Sequence, residues 1–325
     1  MTIATRELRS PAAKLLEKSA TKYIGIGLLV AVGLAAPFVV YPIFLMKALC
    51  LALFACAFNL LLGYVGLLSF GHAAFFGWAA YVAGHTVKVM GFPTELGILA
   101  GTCVATVLGL VFGWLAIRRT GIYFAMITLA LAQMAYFYAL QAPFTGGEDG
   151  IQAIPRGTLF GLIDLSPTLN MYYVVLSIFA FGFLLIYRTI HSPFGQVLKA
   201  IRENEPRAVS LGYKVDQYKL AAFVISAALS GLAGATKAIV FQFATLTDVN
   251  WHTSGEVVLM TLLGGMGTIF GPVVGAFLVA TLQNYLAPFG AWVTVIIGAI
   301  FVVCVLAFRR GIVGELARVL KLRQA

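Results

Sequence analysis

The sequence predicts an all-α membrane protein, a polytopic bundle of about eight to ten transmembrane helices with both termini in the cytoplasm. Its 325 residues are 61% hydrophobic and 10% charged, with a mean hydropathy of +0.96, which is too apolar for a soluble domain. A helix needs about 20 apolar residues to span a membrane, and stretches of roughly this length follow one another from Ile24 to Phe308. A transmembrane barrel would instead show segments of about ten residues with alternating polarity, and the sequence has none.

The apolar segments can be placed in order along the chain. Those up to Phe241 are long enough to predict a crossing by themselves. They are Ile24 to Val40, Leu45 to Leu62, Gly66 to Val89, Leu96 to Ile117, Ile122 to Leu140, Leu169 to Tyr187, and Leu220 to Phe241. The C-terminal part adds Gly271 to Leu286, Ala291 to Phe308 and the shorter Thr253 to Leu263. At about 1.5 Å per residue, that short segment covers only about half of the hydrocarbon core, which leaves the helix count open.

Basic residues set the expected orientation. With an inner N-terminus and ten crossings, 18 of the 22 Lys and Arg residues fall on the cytoplasmic side, in agreement with the positive-inside rule. A Thr253 segment that dipped and returned would put Arg309 and Arg310 outside, so we favour a full, broken crossing that ends at the Gly264-Gly265-Met266-Gly267 turn. The four basic residues on or near the outer side are Lys47, Lys88, Arg156 and Lys237.

This topology divides the chain into an arm, a membrane domain and a tail. The two long loops lie on opposite sides, which suggests two different docking surfaces. The expected parts are a cytoplasmic arm (1–23), a transmembrane domain (24–308) with a periplasmic loop (141–168) and a cytoplasmic loop (188–219), and a cytoplasmic tail (309–325).

Several function classes are disfavoured by the sequence. The net charge of +10 is spread between apolar spans, whereas a nucleic-acid-binding protein would gather it on a soluble face. The four cysteines lie in apolar segments without metal-ligand spacing, so neither a disulfide nor a metal site is expected. An integral-membrane enzyme would need a nucleophile and base, an HExxH motif or a carboxylate pair at a shared depth, and we find none. No Gly-Lys dipeptide occurs, so the chain cannot hold a GxxxxGK[ST] phosphate loop.

The cytoplasmic stretch from Ser192 to Gly212 carries the strongest functional signal. Ser192 and Pro193 predict a helix start, with Ser as N-cap and Pro in the first turn. Asn204 can cap a second short helix, and Gly212 can close it in the left-handed conformation. The first helix has one apolar face, formed by Phe194, Val197, Leu198 and Ile201.

Two interpretations of this stretch stay open at this point. The apolar face has no evident partner in the same chain outside the bilayer, so we expect it to dock on another protein. The alternative is an ordinary surface loop that lies on the bilayer.

Four stretches, in the same order along the chain, resemble the LivM-type permeases, the integral-membrane subunits of branched-chain amino-acid ABC importers. The resemblance covers Leu45 to Arg310, and four ordered matches are more specific than any one. The stretches are Asn59 to Phe75, Thr145 to Ile151, Ser192 to Gly212, and Gly264 to Pro272. At Leu67 many relatives carry a polar residue such as Gln. This departure leaves the substrate open, because related permeases serve urea, short amides and other amino acids.

The resemblance implies the subunit composition of the transporter. It implies a multi-pass subunit of the bacterial inner membrane beside a second homologous permease, two cytoplasmic ATP-binding subunits and a periplasmic substrate-binding protein. ATP and Mg would be bound by the partner ATPases, and this chain would bind no cofactor of its own. The ATPase-coupling residues it implies are Phe194, Ile201, Arg202, Glu203, Asn204, Glu205, Ala208 and Gly212.

Polar residues within the spans are candidates for the transport path. Glu256 is the only acidic residue well inside an expected span, and a charge at such a position indicates a functional role by default. The alternative is a position at the membrane interface, where the charge would cost little free energy. His72 is expected near the inner end of the third segment, where a packing hydrogen bond is favoured over proton transfer. Asn59 and Ser69 complete the set.

Two further points concern the outer face and the energy source. Glu148 and Asp149 lie in a glycine-rich external turn that is either solvated or a docking contact for the binding protein. An ion-coupled secondary transporter is the rival from another class. It would need more membrane-embedded ionisable residues than the sequence offers. The broken Gly264 to Gly271 region still favours this alternative, because secondary transporters bind coupling ions at unwound helices.

Overall fold

The computed structural model describes residues 31–161, 163–290, 292–307 and 311–319. The expected arm (1–23), the start of the first segment at Ile24, Arg309 and Arg310, and residues 320–325 of the expected tail lie outside the described residues. The described helices are α1 (31–39), α2 (Pro42–Asn59), α3 (His72–Lys88), α4 (Thr94–Ala116), α5 (Ile122–Gln141), α6 (Thr168–His191), α7 (Pro193–Glu203), α8 (Glu205–Ser210), α9 (Val215–Phe241), α10 (Trp251–Gly264), α11 (Gly271–Leu286), α12 (Trp292–Ala307) and α13 (Gly311–Val319).

The expected all-α membrane architecture is confirmed. In the described part of the chain, six helical stretches are long and apolar enough to cross a membrane. They are Pro42–Val65, Thr94–Ala116, Ile122–Gln141, Thr168–His191, Val215–Phe241 and Gly271–Phe289. Helices α3, α10 and α12 are shorter, with 17, 14 and 16 residues. The strands found in the described ranges are two residues each, Thr158–Leu159 and Ile163–Asp164, and form a small antiparallel hairpin.

The bundle is built around α2. This helix is apolar on all sides, so either protein or lipid could surround it, and here protein does, because an 18-residue stretch of the Pro42–Val65 span is 89% buried. Helices α6, α9, α10 and α11 pack around it, and α3 and α4 pack on α9. Small residues allow close approach, since a Cβ on Gly113 of α4 would come within 2.9 Å of the Phe223 ring of α9.

The third segment was expected to run from Gly66 to Val89, and its predicted start is wrong. A π-helix (Leu60–Val65) extends α2, Gly66 ends it with a φ of +83°, and regular structure resumes only at His72. Side chains replace the missing helical partners along this break. Thr128 Oγ1 accepts from Phe70 N at 3.2 Å, and Ser254 Oγ accepts from Ala73 N at 2.9 Å. The apolar sequence continues across the break, which is why hydropathy alone placed residues 66–71 in the third segment.

The short segment near Thr253 is a helix, α10, that forms a tight hairpin with α11. Its turn, residues 265–270, lies where the glycine-rich turn was expected. Helix α13 lies within the expected tail and packs against α10 and α11. Its first residue, Gly311, sits against the backbone of Gly265.

Loops expected on one side of the membrane do lie together. On the outer side, Ile151 forms a β-bridge with Ala244, and the Lys88 ammonium donates to the Gln152 carbonyl at 2.7 Å. At the opposite end, Asn59 bonds to Thr268. The alternation of crossings agrees with the expected topology, while the assignment of one end to the cytoplasm stays a prediction.

Candidate functional site

The α7–α8 loop (residues 192–214) has the local structure that its sequence predicts. Ser192 Oγ accepts a hydrogen bond from Gly195 N at 3.3 Å, and Asn204 Oδ1 accepts one from Arg207 N at 3.1 Å, so both N-caps are confirmed. Gly212 has a φ of +88°, which confirms the left-handed end of α8. Two short helices therefore lie at the end of the bundle that is expected to be cytoplasmic, which we call the inner end.

The apolar face of α7 is not free, and the expectation that it lacks a partner in its own chain is wrong. Leu198 is 0% exposed and Ile201 is 2% exposed. Ile201 packs with Ala208 of α8 and Val215 of α9. The Phe194 ring stacks on Tyr218 at 5.6 Å between centroids. The first turn of α9, which hydropathy placed outside the membrane, supplies the missing surface.

A different set of apolar side chains is exposed on this loop. Val209, Leu211 and Tyr213 are 57%, 68% and 41% exposed, and they flank Gly212 at the tip of the loop. Sequence reasoning missed them because it followed helical periodicity, and these residues lie at and beyond the end of α8. The sequence feature that could have identified them is their position in the one long loop on this side of the membrane domain.

The polar residues of the loop divide into internal and outward-facing groups. Glu205 pairs with the buried Lys219 of α9 at 2.6 Å, which fixes α8 to the bundle. Glu203 and Asn204 are exposed at the junction of the two helices. Arg202, one of the expected ATPase-coupling residues, is also exposed, but its guanidinium donates a hydrogen bond to the carbonyl oxygen of Gly63 in its own chain.

Asn59 and Arg202 belong to one cluster, which we call the inner junction (Asn59, Gly63, Arg202, Gly267 and Thr268). Asn59 Nδ2 donates to the Thr268 carbonyl at 2.9 Å, and Asn59 Oδ1 accepts from Gly267 N at 3.0 Å. One amide therefore satisfies two backbone groups of the α10–α11 turn. The inner junction joins the end of α2, the α7–α8 loop and this turn.

His72 and Ser69 lie in the packed interior, not at the inner end. His72 Nε2 is 2.9 Å from Ser226 Oγ in the middle of α9, and Ser226 Oγ donates to the Ala57 carbonyl at 2.6 Å. Ser69 Oγ accepts from Gly71 N at 3.2 Å at the break before α3. Both side chains are fully buried. His72 joins α3 to α9, and Ser69 stabilises the backbone of the break locally.

Charged residues gather near the outer ends of α2, α9 and α10. Glu256 is half-buried and lies close to Gln283 of α11 and within electrostatic range of Lys47 and Lys237. Lys237 forms an ion pair with the buried Asp248. Sequence reasoning selected Glu256 alone, because the partners come from four separate elements.

The external loop is a folded cap rather than an open segment. Ile154 and Leu165 are fully buried beneath it, and Arg156 Nη2 donates to the Val240 carbonyl at 2.8 Å. Its hairpin is closed by Asp164, which accepts hydrogen bonds from the backbone and side chain of Ser166. These bonds hold the pKa of the Asp164 carboxyl below its usual range.

The acidic turn of this cap faces outward. Glu148 and Asp149 are both exposed, so they are accessible to solvent or to a partner. Nothing in the described ranges groups three or more His, Cys, Asp or Glu side chains in a way that could hold a metal ion.

Comparison with known proteins places this arrangement in a family. The family model for branched-chain amino acid transport system permease components matches residues 41–305. The chain is 29% identical over 290 residues to the high-affinity branched-chain amino acid transport system permease proteins LivM of Salmonella typhimurium and Escherichia coli, which covers 82% of this chain and 68% of each relative.

A second relative matches a smaller part of the chain. The ribose import permease protein RbsC of Bacillus subtilis is 29% identical over 196 residues, 55% of this chain and 58% of that protein. No solved structure matches the chain. The family match extends from the start of α2 to α12 and includes the inner junction, the α7–α8 loop and the charged outer cluster. The chain belongs to the family of branched-chain amino acid transport system permease components.

Proposed function

We propose that this chain is the permease subunit of an ATP-driven importer of branched-chain amino acids in the bacterial inner membrane. Its partners are a second homologous permease, two cytoplasmic ATP-binding subunits that hold ATP and Mg, and a periplasmic substrate-binding protein. Family membership supports the role of permease, and the two LivM relatives support the substrate class. Both termini lie in the cytoplasm, as the distribution of basic residues predicts.

The α7–α8 loop is the ATPase-docking element in this proposal. The observation that carries it is the exposed apolar tip, Val209, Leu211 and Tyr213, on a loop whose other large apolar side chains are buried or half-buried. A rigid, capped loop with an apolar tip is suited to a groove on another protein, because little conformational entropy is lost when it docks. Phe194, Ile201 and Ala208 hold the loop in shape from inside, and Glu203 and Asn204 border the contact.

Loss of the ATPase subunit from Leu211→Asp complexes tests this role. A charge at the centre of an apolar contact should weaken it at least about tenfold, so that the ATPase no longer copurifies with the permease. Phe160→Asp, on the exposed outer hairpin, is the matched control, since it makes the same change at the opposite end. Full retention of the ATPase by Leu211→Asp would remove the docking role from the loop tip.

The outer charged cluster is proposed as part of the transport path. Half-buried charges at the membrane-embedded ends of helices face the bundle interior, a water-filled path or a partner rather than lipid. Glu256 and Lys47 present opposite charges from α10 and α2. This suits the two opposite charges of a zwitterionic amino acid, whereas urea or a neutral amide could form hydrogen bonds here but no ion pairs. Asn59, Ser69 and His72 act on the path indirectly, by holding the broken segments that border it.

Uptake measurements separate the substrate classes. Glu256→Gln should lower the uptake of leucine several-fold with the complex still assembled, and a urea or short-amide permease would show little change in uptake of its substrate. Thr281→Val, which removes a hydroxyl bonded within α11 itself, is the control on a neighbouring helix. Equal leucine uptake by Glu256→Gln and the unaltered protein would exclude a role in substrate passage.

The acidic turn is proposed as a docking point for the binding protein. Its exposure at the tip of the outer cap supports this, since Glu148 and Asp149 are free to meet basic side chains of a partner. Reversal of both charges should weaken the stimulation of ATPase activity by the binding protein while leaving the complex assembled. Unchanged stimulation at every binding-protein concentration would contradict the docking role and show that the turn is only a solvated loop.

A further inference from the structure

One side chain connects the α7–α8 loop to the central helix of the bundle. The Arg202 guanidinium donates to the carbonyl of Gly63, within the π-helix that extends α2. The stem of Arg202 crosses Gly66, where a Cβ would lie 3.1 Å from Arg202 Cγ. Gly66 is left-handed, a conformation that a larger residue would adopt with strain. The Arg202 side chain thus lies directly on glycine backbone.

The same guanidinium reaches the α10–α11 turn. A Cβ at Gly267 would lie 3.2 Å from Arg202 Nη1, the same nitrogen that donates to Gly63, so the turn lies beside the Arg202 head group while the residue as a whole stays exposed. Asn59, on the last turn of α2, holds the Gly267 amide and the Thr268 carbonyl in place. The Arg202 guanidinium therefore lies next to both elements that Asn59 joins.

The π-helix is the part of the α2 stretch most suited to change conformation when the α7–α8 loop moves. π-helical turns are rare, are found mostly at functional sites, and interrupt the regular α-helical hydrogen bonding. Gly63 lies among the last four residues of this helical stretch, whose carbonyls have no partner further along the helix. An external donor to such a carbonyl stabilises one arrangement of the helix end. Lys199, one turn before Arg202 on α7, lies over the Tyr64 ring at 5.8 Å and adds a second contact.

We propose that Arg202 is the positioning residue that transmits movement of the α7–α8 loop to the end of α2 and to the α10–α11 turn; this rests on the proposed docking role of the loop. The loop tip binds the ATPase, and Arg202, on α7 of the same loop, contacts the transmembrane elements through Gly63 and Gly66. A planar guanidinium with several donors suits a site between two backbone segments, whereas a lysine ammonium donates from a single point. Arg202 acts on transport through these elements and does not touch the substrate.

The test uses the complete complex with its ATPases, second permease and binding protein in proteoliposomes, with ATP hydrolysis and leucine uptake measured in the same samples. Arg202→Met keeps the length of the stem and removes the donors. The ATPase should stay bound, and the ATP hydrolysed per leucine transported should rise at least about tenfold. Arg202→Lys should restore part of the coupling. Arg188→Met, which removes the same charge from the exposed end of α6, should match the unaltered protein.

Each other result overturns a defined part of the proposal. An unchanged ratio of ATP to leucine in Arg202→Met would exclude transmission through Arg202. Loss of the ATPase from Arg202→Met, with the permease still in the membrane, would make Arg202 a docking residue instead. If Arg202→Met does not accumulate, the ratio in Arg202→Lys decides, and a ratio equal to that of the unaltered protein rejects the proposal. An unaltered permease that holds no ATPase would overturn the proposed function itself.

Discussion

At the scale of single residues, burial divides the α7–α8 loop into side chains that hold it together and side chains that it presents. Ile201 is enclosed by α8 and α9 and Leu198 belongs to the main apolar core, while Leu211 and Val209 are exposed at the tip. The caps at Ser192 and Asn204 could be predicted, because capping depends on residues a few positions apart. The burial of Ile201 could not, because it depends on the position of α9 in space.

The division of the loop into buried and exposed side chains predicts different losses of stability for two similar truncations. Ile201→Ala leaves a cavity in a packed contact and should lower the free energy of unfolding by about 2–4 kcal/mol. Leu211→Ala removes only exposed atoms and should change it by no more than about 0.5 kcal/mol. Denaturant unfolding of both variants in detergent measures the difference. Equal stabilities would show that α7 is not packed on its own chain as described.

At the scale of elements, the break between α2 and α3 is the feature that a hydropathy profile does not find. Leu67 and Leu68 continue the apolar run, so the sequence predicts an unbroken helix from Gly66. The broken form is stable because Thr128 and Ser254 supply partners for freed backbone N–H groups inside the membrane domain. Those partners lie 58 and 181 residues away in sequence, so no local pattern identifies them.

The break makes Ser254 more important to stability than an ordinary helical serine. Ser254→Ala leaves the buried Ala73 N–H without a partner and should cost about 1–3 kcal/mol of unfolding free energy. Ser177→Ala is the matched control, because the Ser177 hydroxyl is exposed and bonds only to the Tyr173 carbonyl of its own helix. A cost for Ser254→Ala no larger than that of the control would contradict the capping role.

At the scale of the whole molecule, the structure gathers the loops into two ends with different character. One end carries the inner junction and the α7–α8 loop, and the other carries the folded cap and its acidic turn. The count of basic residues predicted this separation, because charge asymmetry depends on the order of crossings and not on how the helices pack. Which helices meet in the bundle could not be derived from hydropathy, since apolar faces are alike in lipid and in protein.

Cysteine labelling tests the orientation of the two ends. In a background without the native cysteines, Leu211→Cys should react with a membrane-impermeant maleimide only in inside-out vesicles, and Phe160→Cys only in intact spheroplasts. Both positions are exposed, so accessibility depends on the side of the membrane alone. The reverse pattern would invert the topology and place the α7–α8 loop out of reach of a cytoplasmic ATPase.

Energised uptake is the measurement that tests the central claim most directly. The complex of this permease with its partners is reconstituted in proteoliposomes, with the binding protein on the side of the outer cap and ATP on the side of the α7–α8 loop. The account predicts leucine uptake that requires ATP hydrolysis and the binding protein, and that stops with a non-hydrolysable ATP analogue. Leucine uptake driven by an ion gradient without ATP would contradict it and identify a secondary transporter.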